Sequence, residues 1–186
     1  GAGISGILAA KNAAKNNLKT LLVDEKNELG GATIYQNRDF NKIENQSSSD
    51  WIKKEIQELK NIKNLEIKTR TSVAAYHGYN YLLARENLTD HLEKKDKQGK
   101  IRQRLLKIRA KKVILATGAL ERPLIFNNND RPGIMLSSAV KKYADFYGVV
   151  SGKKNVFFTN NDSAYESALC LHNKGIKVEA VIDIRE

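Results

Sequence analysis

The sequence predicts an α/β protein built from two strand-helix-strand units, and three observations carry that prediction. The chain opens on Gly-Ala-Gly-Ile-Ser-Gly, an apolar run Leu21-Leu22-Val23 ends in Asp24 23 residues past the first glycine, and a second such pattern runs from Asn155 to Ile182. A glycine-rich turn with an acid at that distance is the fingerprint of a Rossmann-like dinucleotide-binding fold. Gly1 serves the tight turn, Gly3 allows close approach of a pyrophosphate, and Gly6 lets the following helix pack on the sheet. That helix, from about Ile4 to Asn16, aims its free N–H groups and positive dipole end at the phosphates. Asp24 would accept hydrogen bonds from the adenosine ribose. A carboxylate there repels a 2′-phosphate, which favours NAD or FAD over NADP.

The later elements follow from local pattern. Gly30-Gly31 just past the second strand permits another close backbone approach to a cofactor. Residues 35–49 are polar and read as loop, and Ser47-Ser48-Ser49-Asp50 would cap a helix from about Trp51 to Lys60, with Trp51, Ile52, Ile56 and Leu59 at helical spacing. Trp51 is expected to pack in a core or an interface. Residues 65–73 alternate as a strand, and the aromatic run at 76–83 suggests a hairpin whose rings pack across strands. Residues 94–100 form a polar turn. The basic stretch at 100–112 reads as a strand pair with a solvated face. Residues 113–119, Val-Ile-Leu-Ala-Thr-Gly-Ala, read as a buried strand closing the first sheet beside the nucleotide. After a turn-rich linker, Ser137 or Ser138 would cap a helix to about Tyr147. The fingerprint should follow a strand, nothing precedes Gly1 and there is no initiator Met, so the chain is expected to be part of a longer polypeptide. The expected division is a dinucleotide-binding domain lacking its first strand at 1–122, a linker and helix at 123–150, and the start of a second, degenerate nucleotide-binding domain at 151–186.

Composition excludes several classes. At 41% hydrophobic and 28% charged the chain is globular in character, and no apolar run approaches the ~20 residues of a membrane span. The single cysteine, Cys170, permits no internal disulfide, which with the lack of a visible targeting segment suits a cytoplasmic protein. A net charge of +11 raises nucleic-acid binding, but the lysines are scattered among acids, which argues against it and suits docking to an acidic partner subunit. His77, His91 and His172 have no partner at metal-ligand or catalytic spacing.

Taken together, GAGISG, Asp24, Gly30-Gly31 and Ala116-Thr117-Gly118 resemble the two-dinucleotide-binding-domain flavoproteins, whose best-known members look like glutathione reductase. The disulfide-reductase branch is set aside, since it places two redox cysteines shortly after the glycine doublet and this loop has none. The segments at 69–73, 89–92, 102–105, 116–123, 129–133 and 158–165 more closely resemble the alpha subunits of heterotetrameric sarcosine oxidases. That resemblance implies an oxidoreductase complex that demethylates sarcosine to glycine with tetrahydrofolate and oxygen. It implies NAD in the fold represented here, an FMN between subunits, and sarcosine oxidation on another subunit. No catalytic residue falls in this chain under that reading. Gly1, Gly3, Gly6, Asp24, Gly31, Thr117 and Gly118 are the nucleotide-site candidates, and no metal site is expected. By itself the segment is expected to be inactive with sarcosine.

One departure bears on function. Where the second unit would carry its glycine turn, the chain has Thr159-Asn160-Asn161-Asp162-Ser163-Ala164. Side chains replace the glycines, so this half is not expected to bind NAD(P)H in the usual manner. Two alternatives stand beside the leading reading: an FAD-dependent amine or amino-acid dehydrogenase subunit, since Asp24 suits both cofactors, and a non-catalytic nucleotide-binding scaffold for partner subunits.

Overall fold

A computed structural model describes residues 1–35 and 42–185. In chain order the elements are α1 (Ile4–Lys15), β1 (Thr20–Val23), β2 (Lys42–Ile43), β3 (Gln46–Ser47), α2 (Ser48–Lys60), β4 (Leu65–Lys68), β5 (Thr71–His77), β6 (Tyr81–Asn87), α3 (Lys94–Lys97), β7 (Gln103–Arg109), α4 (Ser137–Asp145), β8 (Lys154–Thr159), α5 (Ser163–Asn173) and β9 (Lys177–Asp183). They fall into two compact units, one of Gly1–Ile34 with Asp50–Gly118 and one of Tyr35–Ser49 with Ala119–Glu186.

In the first unit α1 buries Ile7, Ala10 and Ala14, spaced three and four apart on one helical face. Its C-terminal end is tied down from afar, because the Asn64 side chain donates to the carbonyl of Ala14 in the last turn and to that of Leu18 beyond it, both at 2.9 Å. β1 and β4 pair in parallel with Leu22 opposite Ile67, the arrangement a strand-helix-strand crossover imposes. Lys11 on α1 pairs with Glu55 and Glu58 on α2 at 2.6 and 2.7 Å. Those carboxylates raise the Lys11 ammonium above its ordinary pKa, and Lys11 holds Glu58 below its own. α2 buries Trp51, Ile52 and Leu59, so Trp51 is a packing residue as expected.

Several local expectations are corrected. Residues 65–73 form two strands, because Arg70 adopts a left-handed conformation (φ 51°). Arg70 donates its N–H to the Lys26 carbonyl and Thr71 to that of Asp24, both at 2.8 Å, which turns the chain over the end of β1. The aromatic run is the predicted hairpin, with His77 opposite Tyr81 and the two rings 6.0 Å apart, while Tyr79 at its tip is 92% exposed. The basic stretch supplies one strand, β7, whose partner is β6. Together β5, β6 and β7 make an antiparallel meander inserted into the nucleotide-binding unit. The polar turn contains the one-turn helix α3. Of the loop at 35–49, residues 36–41 lie outside the described part, and the rest holds the β2–β3 hairpin. α2 begins three residues earlier than read, at Ser48.

The largest correction concerns residues 113–119, which form no strand ladder among the described residues, with Ile114 67% and Leu115 69% exposed. An extended apolar segment becomes a buried strand only where neighbours supply hydrogen bonds and cover both faces.

The second unit is a parallel strand-helix-strand of β8, α5 and β9. α4 packs on it, and Ala144, Phe157, Ala164, Ala168 and Leu171 form its core. Ser137 and Ser138 are the first residues of α4 and do not cap it. The cap comes from Glu121, whose carboxylate accepts the N–H groups of Ser137 (3.0 Å) and Ser138 (2.8 Å) and the Ser137 hydroxyl (2.8 Å). Cys170 is fully buried and donates to Asp145 at 3.1 Å. Burial and that carboxylate push the thiol up to about 12, so it is an inert packing residue. Among the described residues no helix is long and apolar enough to cross a membrane.

Candidate functional site

The site grows from the opening turn. Gly3 precedes α1 with extended backbone (φ −75°, ψ −174°) and the Ile7 N–H returns to its carbonyl at 2.9 Å, so the helix starts immediately after the third glycine. No side chain caps this end and its first turn carries no acid. The first N–H groups of a helix have no partner within it, so this twelve-residue helix presents open donors with a positive dipole end.

Two of the glycines are fixed by contact. A Cβ on Gly6 would strike the Gly1 carbonyl, and one on Gly1 would strike the Ala116 carbonyl, so the turn lies directly against residues 116–117. A Cβ on Gly3, by contrast, would meet nothing within 4 Å. Gly3 therefore faces open space in front of the helix, the cradle that a pyrophosphate needs.

Asp24, half-buried at the end of β1, reaches back to this turn. Its Oδ2 accepts the Ala2 N–H at 2.5 Å and its Oδ1 accepts the Lys26 N–H at 2.8 Å. A carboxylate offers about four lone-pair positions, so capacity remains for ribose hydroxyls. The glycine doublet closes the other side. The Gly30 N–H donates to the Ala2 carbonyl at 2.7 Å, and Gly31 (φ 60°) lies so near that a Cβ on it would come within 2.9 Å of the Gly3 Cα. The close approach made by the doublet is thus first to the turn's own backbone. A Cβ on Gly30 would also come within 2.7 Å of the Ile34 side chain, with Ile52 and Ile56 behind it.

Gly1, Gly3, Gly6, Asp24, Gly31 and Thr117 are brought together at one end of α1. Gly118, left-handed at φ 74° with free space around it, follows directly. Sequence spacing did not single out Ala2, which both orients Asp24 and anchors Gly30 through its backbone alone. Nothing in a side-chain pattern reports a residue whose main chain does the binding. His77, His91 and His172 are all exposed, and no group of three or more metal-ligating residues forms among the described residues.

Residues 1–186 match the family described as pyridine nucleotide-disulphide oxidoreductase. The chain belongs to this family. Its whole length is similar to the sarcosine oxidase alpha subunits of Corynebacterium sp. (strain P-1), at 41% identity, and of Rhizobium meliloti (strain 1021), at 35%. The chain spans about a fifth of those relatives, 19% and 18% of their lengths. The solved structure of L-proline dehydrogenase from P. horikoshii shares the fold, with a TM-score of 0.77 at 24% identity over the full chain and 35% of that protein. The α/β dinucleotide-binding flavoprotein fold and an oxidoreductase family are therefore established. The disulphide in the family's description has no counterpart here, since the chain holds one cysteine and it is buried.

Proposed function

We propose that this chain is the dinucleotide-holding segment of a sarcosine oxidase alpha subunit and that its nucleotide is NAD. The observation that carries the reading is the convergence on one open helix end of Gly3, Asp24 and the Gly31 backbone, in a chain whose full length aligns with such subunits. The first-turn N–H groups of α1 hold the pyrophosphate, Gly3 lets it approach, and Asp24 takes the adenosine ribose and repels a 2′-phosphate. Gly1 and Gly6 shape the turn, while Gly31, Thr117 and Gly118 border the nucleotide. When bound, the nicotinamide ring supplies hydride chemistry; this segment contributes binding and orientation and no catalytic side chain.

In the complete complex we place the oxidation of sarcosine to glycine on a partner subunit, with tetrahydrofolate taking the one-carbon unit, FMN between subunits and oxygen as the final acceptor, in a cytoplasmic setting. Asp24 serves FAD equally well, which sustains an amine dehydrogenase subunit as the second reading. The side-chain-filled turn at 159–164 supports a third, a nucleotide-binding scaffold.

Mass spectrometry of the small molecules released by heat from the purified full-length chain, separated from its partners, decides among them. NAD without flavin supports the proposal, FAD moves the assignment to an amine dehydrogenase, and release of no nucleotide overturns the proposal. Hydrogen peroxide produced from sarcosine by the segment alone would overturn the assignment of chemistry to a partner.

A further inference from the structure

The nucleotide turn leaves most of the chain's positive charge without a role, and part of that charge converges elsewhere. Where the outer ends of β6 and β7 meet α3, a hollow of about 540 Å3 is lined by Arg85, Lys97 and Arg102 together with Asn87 and Gln103. Its walls are set by the ladder. Arg85 and Asn87 lie two apart on β6 and so share a face, and Gln103 stands directly opposite Asn87. The Gln103 amide donates to the Asn87 side-chain oxygen at 2.7 Å, which fixes both carboxamides. The Leu88 N–H donates to the Arg102 carbonyl at 3.0 Å and holds that residue at the end of the ladder. Lys97 comes from α3.

The three cations differ from other basic residues of this unit. Lys68 and Arg104 both reach Glu86, and Arg70 reaches Asp90 at 3.0 Å. Arg85, Lys97 and Arg102 form no ion pair among the described residues. Asp90 also lines the hollow, but its carboxylate is already engaged by Arg70 and by the His91 ring at 3.3 Å. Three like charges around a concavity focus positive potential into it. Two of them are guanidinium forks, whose donors match the oxygens of a phosphate in pairs. Its lining residues are all polar or charged, with no aromatic ring among them, and the volume falls within the roughly 300–1,000 Å3 of small-molecule sites. Farther along β7, Lys107 is exposed and Arg109 sits over the Tyr81 ring at 5.3 Å, so basic residues continue along the strand, but only Arg85, Lys97 and Arg102 line the concavity, which suits a compact ligand.

We propose that this hollow, distinct from the dinucleotide turn, binds a small molecule through a phosphate or pyrophosphate group held by Arg85, Arg102 and Lys97.

The test labels arginines of the full-length protein with phenylglyoxal and reads each site by mass spectrometry, with inorganic pyrophosphate as the probe. Pyrophosphate is expected to slow labelling of Arg85 and Arg102 at least about fivefold while Arg122 and Arg131 are unchanged. Lys97→Gln, a change at an exposed position, is expected to remove most of that protection. Because labelling is read at these two residues, the result does not depend on whether NAD occupies the turn at Gly1. Equal protection by sodium chloride at matched ionic strength would reduce the effect to screening. Protection by a tetraglutamate peptide and not by pyrophosphate would assign the hollow to an acidic protein segment. Uniform slowing at all four arginines would mean unspecific binding. Each of these three outcomes overturns the proposal.

Discussion

The two strand-helix-strand units share a backbone plan and differ in who occupies the helix ends. In the first unit α1 begins uncapped behind Gly3, and Asp24 is held by two main-chain N–H groups, which leaves acceptor capacity on its carboxylate. In the second the Thr159 hydroxyl bonds within its own turn, and the Asn161 side-chain oxygen accepts both the N–H and the hydroxyl of Ser163 at the start of α5. Asp183, at the end of β9 as Asp24 is at the end of β1, is taken by the Arg185 guanidinium at 2.7 Å and the Tyr165 hydroxyl at 3.0 Å. α4 is likewise closed by Glu121. The scaffold alone does not make a nucleotide site. Donors must be left unspent, and only glycine-type turns leave them so.

The comparison breaks hardest at Gly6. Gly6→Val drives side-chain atoms into the Gly1 carbonyl, and the first unit should lose about 3 kcal/mol or more together with its nucleotide, measured by denaturant unfolding and NAD content. Asp24→Asn keeps an acceptor for Ala2 but removes the charge. NAD affinity should fall about tenfold, near 1.4 kcal/mol, and discrimination against NADP should shrink, both read by calorimetric titration.

Gly3→Ala sharpens the contrast, because a Cβ there meets no protein atom. The unfolding midpoint should hardly move while nucleotide binding weakens by about an order of magnitude, a split that a purely structural glycine would not give.

The smaller effects lie in the second unit. Burial opposes ionisation of Glu121, but the bonds from Ser138 and Ser137 prevail and hold its carboxyl below the ordinary 4.5. A lowered folded-state pKa contributes stability that is fully present above 4.5 and is lost as pH falls. Glu121→Gln should therefore cost about 1 kcal/mol near neutrality and little in acid, seen in the pH dependence of thermal unfolding. Asp183 is held well below 3.8 by the Arg185 guanidinium and N–H. Arg185→Gln should shift acid unfolding of this unit slightly toward neutral pH. It should confer no NAD binding, since Asn161 still closes α5; NAD binding by that variant would show that the clamp alone blocks the site.

Much of this was readable in advance where the information is local. Glycine spacing, the apolar faces of α1 and α2, and the hairpin at 71–87 each depend on residues a few positions apart. The misreadings involve partners distant in sequence. Ser137 has the chemistry of a cap, yet a carboxylate from 16 residues upstream takes the position. Residues 65–73 alternate like one strand, but bonds from Arg70 and Thr71 to the chain after β1 divide them. Lys97 in the polar turn and Arg102 in the basic stretch read as solvated charge, yet the meander and α3 draw them with Arg85 around one hollow.

The sequence by itself determined that this chain forms a dinucleotide-type turn in its first unit and not in its second, because glycine's missing Cβ is a property of the residue and needs no neighbour to express it. The tertiary structure alone decided which donors stay open. Asp24 meets Ala2, Gly31 meets Gly3, and Arg185 meets Asp183 only after the strands have set their Cα positions, so a carboxylate at the end of a strand is held by main-chain N–H groups beside the glycine turn in one unit and in an internal ion pair in the other.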